Sequence, residues 1–268
     1  MSEKGAPRRI LITGCSSGIG RALASELTCR GHHVIATARR LETLDDLDVA
    51  GRLRLDVIDP ASVSEAIAAA GRVDVLINNA GYSVWGAVEA VPVSEMQALF
   101  ETNLFGALRM AQAVLPQMRA RRSGIILQIS SAAARRGNPL LGHYSASKAA
   151  LEMYSEALRL EIARFGIDVS VVVLGSVATS FSDNRRRIST PAYDDLTQRA
   201  ERQIAARRVQ PTQVETVAQR IADALAARGR LPFRIAATDD AEALVSARMS
   251  LDDQSWQDQV LSRLYPDA

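Results

Sequence analysis

The chain alternates short runs of apolar residues with longer segments in which apolar positions recur at helical spacing. We expect Pro116 to perturb the end of one long helix and Gly166 to follow the end of another. Strands separated by helices of this length predict right-handed βαβ units around one parallel sheet. The predicted strands lie at residues 9–13, 33–37, 52–56, 73–77, 124–130, 168–174 and 233–237. The predicted helices lie at 18–30, 94–119 and 144–165, with a further helix that begins at Pro60.

Residues 176–211 interrupt this alternation and are rich in Arg, Ser, Thr and Gln. A connection of this length is often a binding loop or a lid. We therefore predict a substrate-binding loop region at 176–211 within a single domain that spans 1–268. The run of three arginines at 185–187 is interpreted as solvated surface.

Composition narrows the class of protein. Hydrophobic residues make up 47% of the chain and aromatic residues only 4%, which suits a core of aliphatic parallel strands. The net charge of +2 gives no reason to expect a nucleic-acid partner. Cys15 and Cys29 lack metal-ligand spacing, so we expect reduced thiols, no metal and a cytoplasmic location. No stretch approaches 18 uncharged apolar residues, so no membrane span is expected.

Three glycines lie where the first predicted strand turns into the first predicted helix. Gly14 permits a tight turn, Gly18 lets the backbone approach a pyrophosphate, and Gly20 lets the helix pack close to the strand. The helix N-terminus offers free N–H groups to phosphates, and Ser16 and Ser17 add hydroxyl donors. The spacing is GxxxGxG rather than GxGxxG, so an ordinary tight turn is the alternative interpretation.

The end of the second predicted strand indicates which dinucleotide binds. Sites for NAD place an acidic residue there to hold the ribose 2′-hydroxyl. Here Ala38 occupies that position and Arg39 follows it. Because a guanidinium can form paired hydrogen bonds to a 2′-phosphate, we predict NADP(H) rather than NAD(H). A surface arginine pair at a strand end is the alternative.

Tyr144 and Lys148 lie four residues apart at the start of a predicted helix, so their side chains share one face. A free tyrosine has a pKa near ~10, and a neighbouring ammonium favours its phenolate form. We therefore expect Lys148 to lower the pKa of Tyr144, so that the phenol exchanges a proton with a substrate oxygen. Of the 32 basic residues only Lys4 and Lys148 are lysines, so Lys148 stands where arginine does not. A surface pair on a helix is the alternative.

Two further polar residues accompany this pair. Ser131 follows the fifth predicted strand, at the sheet edge where α/β proteins bind ligands, and can polarise a substrate oxygen by a hydrogen bond. Ser130 is the neighbouring alternative for that role. Asn103 lies in the middle of a predicted helix, where asparagine is mildly unfavourable, and we expect it to disturb the helix locally.

Taken together, these residues resemble the short-chain dehydrogenase/reductase family. The match covers about residues 9–180 in the family's order and approximate spacing. It is carried by TGCSSGIG at 13–20, Asp56–Val57, NNAG at 78–81, Asn103, Ser131, Tyr144, Lys148 and GSVAT at 175–179. The resemblance implies an α/β fold with a Rossmann-type doubly wound sheet of about seven parallel strands in three α/β/α layers.

The resemblance also implies roles for individual residues. It implies Ser131, Tyr144 and Lys148 as a catalytic triad, and Asn103 as a fourth catalytic member that holds a water relaying protons to Lys148. Asp56 would meet the adenine, and Val177 and Thr179 the nicotinamide carboxamide. The residues expected at NADP(H) are Gly14, Ser16, Ser17, Gly18, Ile19, Gly20, Arg39, Asp56, Val57, Asn79, Ala80, Gly81, Tyr144, Lys148, Val177 and Thr179.

The chain looks most similar to family members that act on hydroxysteroids, retinoids and similar lipophilic alcohols or ketones. Such proteins often form homodimers or homotetramers through the two long helices. Tyr82, Trp85 and His143 are candidates for the substrate pocket, although His143 is better explained as a neighbour of the helix cap. Leu174 stands where the family usually has proline, and Ser17 where some NADP-binding members have arginine. Two alternatives stay open: an NADPH-dependent reductase of a β-keto ester or thioester, and a dinucleotide-binding regulator without turnover.

Overall fold

Seven parallel strands form one sheet in the computed structural model, which describes residues 6–182, 185–206, 210–227 and 229–265. The order β3-β2-β1-β4-β5-β6-β7 reverses direction between β1 and β4, which is the doubly wound arrangement predicted from the sequence. All six neighbouring pairs are parallel. The strands are β1 (Arg9–Ile12), β2 (His33–Ala38), β3 (Gly51–Arg54), β4 (Val75–Asn78), β5 (Gly124–Ile129), β6 (Ile167–Val173) and β7 (Arg234–Ala236).

Helices cover both faces of this sheet. A long helix, α3, spans 93–120 and consists of two α-helical parts joined by a π-helical turn over Glu101–Gly106. Helix α4 ends in a 3-10 turn, after which Gly166 adopts the left-handed conformation expected of it. The other helices are α1 (Gly18–Cys29), α2 (Pro60–Ala70), α4 (Gly142–Ile162), α5 (Asp194–Ala206), α6 (Val214–Ala226), α7 (Ala241–Met249) and α8 (Asp253–Leu264).

Alternating side chains of each strand divide the core into two layers. Ile10 and Ile12 of β1 face α1 and α6, whereas Leu11 between them faces α2, α3 and α4. Both layers consist mainly of Leu, Ile, Val and Ala, as the low aromatic content predicts. The three-layer α/β/α prediction is therefore confirmed.

Several predicted boundaries were wrong by one to three residues, and one interpretation was wrong in kind. Helix α3 contains Pro116 and ends at Ala120, one residue beyond its predicted end. The region 176–211 is not wholly irregular, since its described part contains α5. Short strand pairs also tie it to the rest of the chain, with Val84–Trp85 beside Arg186–Arg187 and Val177–Ala178 beside Thr212–Gln213. Positions 183–184 and 207–209 lie outside the described residues.

Within the described ranges, none of the helices has both the length and the apolar composition needed to cross a bilayer.

Candidate active site

The glycine turn after β1 closes against the loop after β4. Gly14 and Gly18 have φ angles of +72° and +57°, in the left-handed region that favours glycine. A Cβ atom at Gly14 would lie 3.0 Å from the Cα of Ala80, so the two backbones leave no room for a side chain. Ser17 caps α1 without a side-chain hydrogen bond, which leaves the first N–H groups of the helix available to an anion.

Thr13 and Asn79 hold this turn in place. The Thr13 hydroxyl accepts hydrogen bonds from the backbone N–H groups of Asn79 and Ala80, at 2.9 and 3.0 Å. The Asn79 amide donates to the carbonyls of Thr13 and Gly14, both at 2.9 Å. The Asn79 side chain thus fixes the backbone of the glycine turn, called the glycine cradle below. The sequence reasoning placed Asn79 at the cleft but did not find the bracing role of Thr13.

The end of β2 adjoins the glycine turn, because the Cys15 N–H donates to the Thr37 carbonyl at 2.8 Å. Arg39 lies two residues further along, with an exposed side chain. Among the described residues it has no hydrogen-bond or ion-pair partner. By contrast, the neighbouring Arg40 lies 3.9 Å from Glu42. A helix N-terminus, a glycine cradle and an unpaired guanidinium at one sheet edge fit a dinucleotide with a 2′-phosphate.

Asp56 and Val57 follow β3 at the same sheet edge. The Asp56 carboxylate accepts the Ile58 N–H at 3.2 Å. The backbone N–H of Asp56 donates to the Ser62 hydroxyl at 3.0 Å. These bonds end the strand two residues earlier than predicted and leave the Asp56 carboxylate half-exposed. Val57 is buried against Gly106 of α3, where a Cβ would collide with it. Val57 therefore packs the cleft wall.

The Ser131 side chain lies close enough to Tyr144 for its hydroxyl to influence the pKa of the phenol. Ser131 lies two residues after β5 and caps a 3-10 turn, in which its oxygen accepts the Ala133 N–H at 3.1 Å. Ser130 instead is buried and donates to Glu152 at 2.8 Å. The structure therefore brings Ser131, and not the alternative Ser130, to the phenol.

The protonation of Tyr144 differs from the expectation. Burial raises the pKa of Tyr144 to about 12, and the hydrogen bond from Ser131 opposes that rise only in part. The predicted lowering by Lys148 was wrong because desolvation outweighs the ammonium, whose nitrogen lies 6.0 Å from the ring centroid. Tyr144 is therefore a protonated phenol at neutral pH, which suits a proton donor.

Lys148 is buried beside this phenol, and its Nζ donates to the Ile129 carbonyl at 2.8 Å. Burial lowers the pKa of Lys148 to about 8, against an opposing effect of Glu152. A Cβ built on Gly81 would lie 3.7 Å from this Nζ and 3.0 Å from the Asn103 Oδ1. Gly81 thus brings the loop after β4 into contact with α3 and α4 at one point.

Asn103 is buried inside the π-helical turn of α3, so the predicted local disturbance is present. Its Oδ1 accepts the Tyr82 N–H at 3.0 Å, and its Nδ2 donates to the Tyr82 carbonyl at 2.9 Å. The same Nδ2 donates to Ser147 of α4 at 3.2 Å. The Asn103 amide therefore joins three elements around Lys148.

The segment after β6 reaches the glycine turn. A Cβ on Gly18 would lie 3.7 Å from the Thr179 methyl group, so Thr179 closes the cleft opposite α1. Val177 is half-buried against the α1 and α6 layer, and its carbonyl accepts the Thr179 N–H at 2.9 Å. Asp240 fixes the start of this segment, because its two carboxylate oxygens accept the Ser176 N–H at 3.1 and 3.0 Å.

Phe181, which was not predicted from the sequence, lies beside the Tyr144 phenol. Its ring centroid is 6.0 Å from that of Tyr144, and 41% of the residue is exposed. This places an apolar wall from the 176–211 region next to the phenol. No local pattern marks Phe181, because its role depends on how the loop folds back.

Of the other pocket candidates, Tyr82 packs against the same apolar cluster as Tyr144, whereas Trp85 belongs to a different one. Trp85 packs with Leu140 and Leu264 and carries Arg185 and Arg187 on its ring, with guanidinium carbons 4.8 and 5.8 Å from the centroid. The Trp85 indole is thus a packing residue rather than pocket lining. His143 is buried in the first turn of α4, and its Nε2 has no hydrogen-bond partner in the described part of the chain.

Comparison with known proteins agrees with this geometry. The family model described as short chain dehydrogenase matches residues 8–189, about two-thirds of the sequence. The chain belongs to the short-chain dehydrogenase/reductase family. As a short-chain dehydrogenase/reductase it is an oxidoreductase with the Rossmann-type fold described above.

Curated relatives of this short-chain dehydrogenase/reductase have lipid-related names. A 3-ketodihydrosphingosine reductase from Bacteroides thetaiotaomicron is 45% identical over 183 residues, which cover 67% of this chain and 67% of that protein. Retinol dehydrogenase 8 from Homo sapiens is 41% identical over 189 residues, which cover 66% of this chain. The matched region spans 61% of the length of that retinol dehydrogenase.

Solved structures match nearly the whole chain. A short-chain dehydrogenase from Streptomyces avermitilis has a TM-score of 0.82 at 35% identity, covering 97% of this chain and 98% of that chain. A short-chain dehydrogenase from Burkholderia cenocepacia in complex with NADP has a TM-score of 0.79 at 25% identity, covering 95% of this chain and 98% of that chain.

Proposed function

We propose that this short-chain dehydrogenase/reductase uses NADP(H) to interconvert a secondary alcohol and a ketone on a lipophilic small molecule. The observation that carries the proposal is the grouping of Ser131, Tyr144 and the buried Lys148 at the sheet edge that also bears the glycine cradle. These groups can bind, polarise and protonate a carbonyl oxygen.

In the reductive direction, Ser131 and Tyr144 donate hydrogen bonds to the ketone oxygen and draw electron density away from the carbonyl carbon. When bound, NADPH supplies the hydride that this carbon accepts. Tyr144 then gives its proton to the developing alkoxide. The Lys148 ammonium stabilises the phenolate left behind and then gives it a proton, and Asn103 is assigned to the relay that returns a proton to Lys148.

Arg39 supports the choice of NADP(H) over NAD(H). It is unpaired among the described residues, it follows a strand end without an acid, and its guanidinium suits a 2′-phosphate. The Burkholderia cenocepacia relative in complex with NADP points the same way. The remaining cofactor contacts are proposed for the residues that the sequence assigned.

A lipophilic substrate is supported by Phe181 beside Tyr144 and by the names of the curated relatives. A carrier-bound β-keto thioester would need free cations for its phosphate. In the arginine run, Arg186 lies 2.8 Å from Glu95 and Arg187 lies 2.6 Å from Glu201. Because these charges are already neutralised, the run does not favour that alternative. A regulator without turnover would not require Ser131, Tyr144 and the buried Lys148 to lie together.

We also propose a homodimer or homotetramer and a cytoplasmic location. Phe105 of α3 and Met153 and Leu160 of α4 are exposed apolar residues on the two long helices. Met153 and Leu160 lie seven residues apart, on one face of α4. For the location, Cys15 and Cys29 are both free thiols, which suits a reducing compartment. Fractionation of the native cells tests the location.

The decisive assay follows NADPH oxidation with a panel of ketones, using Tyr144→Phe as the test variant. Loss of the proton donor is expected to lower kcat roughly 100- to 10,000-fold. Tyr154→Phe makes the same chemical change on the same helix, where Tyr154 packs against the core, and should retain activity. Equal turnover by wild type and Tyr144→Phe would contradict the proposal.

The same assay separates the substrate classes. A steroid-like ketone and a long-chain ketone are expected to react with higher kcat/KM than a β-keto thioester. Preference for the thioester would establish the alternative reductase, and binding of NADPH without turnover of any substrate would establish the regulator.

A further inference from the structure

A buried carboxylate lies one helical turn beyond Lys148, on the same face of α4. Glu152 is only 3% exposed, although an ionised carboxylate is costly to bury without partners. Neither the proton donor nor the cofactor cradle accounts for its position. Its contacts therefore indicate what this buried charge does.

Three elements converge on Glu152. The Ser130 hydroxyl at the end of β5 donates to its Oε1 at 2.8 Å. On the other oxygen, Oε2, the Nε of Arg234 from β7 lies at 3.3 Å and the Nη1 of Arg135 at 3.8 Å. Both arginines approach the oxygen that does not contact Ser130. The carboxylate thus lies between a pair of cations and the strand end that carries the catalytic serine.

The surroundings of Lys148 contain one buried carboxylate among the described residues. From its own helix α4, Lys148 faces Glu152 and the neutral phenol of Tyr144. From α3 and the loop after β4 it faces the neutral Asn103 amide and the Gly81 backbone. The cations Arg135 and Arg234 stand behind Glu152. Glu152 therefore supplies the negative charge nearest to this buried lysine.

We propose that Glu152 is a positioning residue for proton transfer, which keeps Lys148 in its ammonium form and fixes Ser130, and with it the neighbouring Ser131. The catalytic meaning of this proposal rests on the proposed function, because only there does the Lys148 ammonium stabilise a Tyr144 phenolate. Burial lowers the pKa of Lys148, and the Glu152 charge opposes that effect. The backbone of Ser130 is held as well, since its N–H donates to the Val172 carbonyl at 2.8 Å.

Because the chain has only two lysines, the protonation of Lys148 can be measured directly, without an activity assay. Only Lys4 and Lys148 carry ammonium groups on side chains, so a lysine-labelled full-length protein gives two side-chain NMR signals. A Lys4→Arg variant assigns them. In the wild type the Lys148 signal is expected to titrate with a midpoint of about 8. In Glu152→Gln, which preserves shape and removes the charge, the midpoint should fall by about one pH unit.

Glu156→Gln is the matched control. Glu156 lies one turn further along α4, is 51% exposed at its side chain and reaches Arg234 at 4.0 Å. Its replacement should leave the Lys148 midpoint unchanged. An unchanged midpoint in Glu152→Gln, or an equal shift in both variants, would overturn the proposal, because a merely structural Glu152 would not affect this titration.

A second variant keeps the proposal testable should Glu152→Gln not fold. Arg234→Gln removes a cation from the far side of Glu152, so the Lys148 midpoint should rise. A constant or lower midpoint would refute the inference.

Turnover separates this inference from the proposed function. If wild type reduces ketones, the alkaline limb of kcat/KM in Glu152→Gln should move to lower pH by the same amount as the NMR midpoint. A shifted Lys148 signal in a protein that turns over no ketone would refute the proposed function and retain the charge pairing of Glu152 and Lys148. Normal ketone reduction by the wild type, together with an unshifted Lys148 signal in Glu152→Gln, would retain the proposed function and refute the charge pairing of Glu152 and Lys148.

Discussion

At the scale of single residues, the pKa of the Tyr144 phenol depends more on the burial of the side chain than on Lys148, its neighbour along the helix. The spacing of Tyr144 and Lys148 predicts that they share a helix face, and they do. The spacing cannot predict that burial raises the pKa of Tyr144 to about 12, because desolvation depends on elements distant in sequence. Of these two groups, Lys148 is therefore the one that titrates nearer to neutral pH, with a pKa of about 8.

This assignment predicts the pH dependence of ketone reduction. Since kcat/KM reports the free enzyme, it should be constant through neutral pH while Tyr144 and Lys148 are both protonated. It should fall as pH rises through about 8, when Lys148 loses its proton and with it the positive charge that stabilises the phenolate. Initial rates of NADPH oxidation between pH 6 and 10 measure this. A limb with a midpoint near that of a free tyrosine, about 10, would contradict the order of the two pKa values.

Arg39 should determine the cofactor preference. Arg39→Asp removes the guanidinium and places a negative charge beside the 2′-phosphate, so the KM for NADPH should rise roughly 10- to 100-fold. The KM for NADH should stay constant or fall. Arg72→Asp makes the same charge change before β4, at the opposite edge of the sheet, and serves as the control. An unaltered NADPH/NADH ratio in Arg39→Asp would refute the assignment.

At the scale of elements, a polar clamp replaces the proline that family members usually carry before Gly175. The Thr238 hydroxyl accepts the Gly175 N–H at 2.8 Å and donates to Asp240 at 2.8 Å. A Cβ on Gly175 would collide with the Asp240 carboxylate. The clamp, together with the bonds from Ser176 to Asp240, fixes the start of the segment that contains Thr179.

Releasing the clamp should weaken both stability and NADPH binding. Asp240→Ala leaves the Ser176 N–H without its acceptor and should cost about 1–3 kcal/mol of unfolding free energy, with a higher KM for NADPH. Asp239→Ala removes the adjacent carboxylate, which is 71% exposed at its side chain and pairs with Arg220, and should cost less than about 1 kcal/mol. Chemical denaturation and steady-state kinetics provide the measurements. Indistinguishable variants would show that the clamp has no such role.

Elements with strong hydrophobic patterns could be predicted, except for α6, which was missed although it buries five apolar residues. Elements built from polar residues could not be predicted. The strand at β6 has consecutive buried valines and was found to within one residue. Helix α5 was missed because most of its residues are polar, and only a few, such as Leu196 and Ala200, pack inward. The π-helical turn in α3 was foreseen only as a disturbance at Asn103, since its form follows from the bonds to Tyr82 and Ser147.

At the scale of the whole molecule, the exposed apolar residues on α3 and α4 predict how copies of the chain associate. Met153 is 69% exposed and lies on the proposed interface, whereas Met249 on α7 is 67% exposed and lies outside it. Met153→Asp should dissociate the oligomer, because it places a charge in a face that excludes water. Met249→Asp should not.

Sedimentation velocity distinguishes these outcomes. A wild-type monomer, or equal dissociation of both variants, would contradict an interface through α4.

The proposed catalytic residues could be named from the sequence, while their surroundings could be described only from the structure. Ser131, Tyr144 and Lys148 lie at strand and helix ends with recognisable spacing. Phe181 and Glu152 carry no such mark, since a glutamate four residues after a lysine also occurs in ordinary surface ion pairs. Their roles come from the folding of the whole chain.

The most direct test of the account is a crystal structure of the chain with NADP⁺ and an unreactive lipophilic ketone. We expect the ketone oxygen within about 2.6–3.2 Å of both the Tyr144 Oη and the Ser131 Oγ, with the 2′-phosphate against Arg39. A ligand whose oxygen binds away from the Ser131 and Tyr144 pair, with NADP⁺ outside the cleft between Gly18 and Thr179, would contradict it.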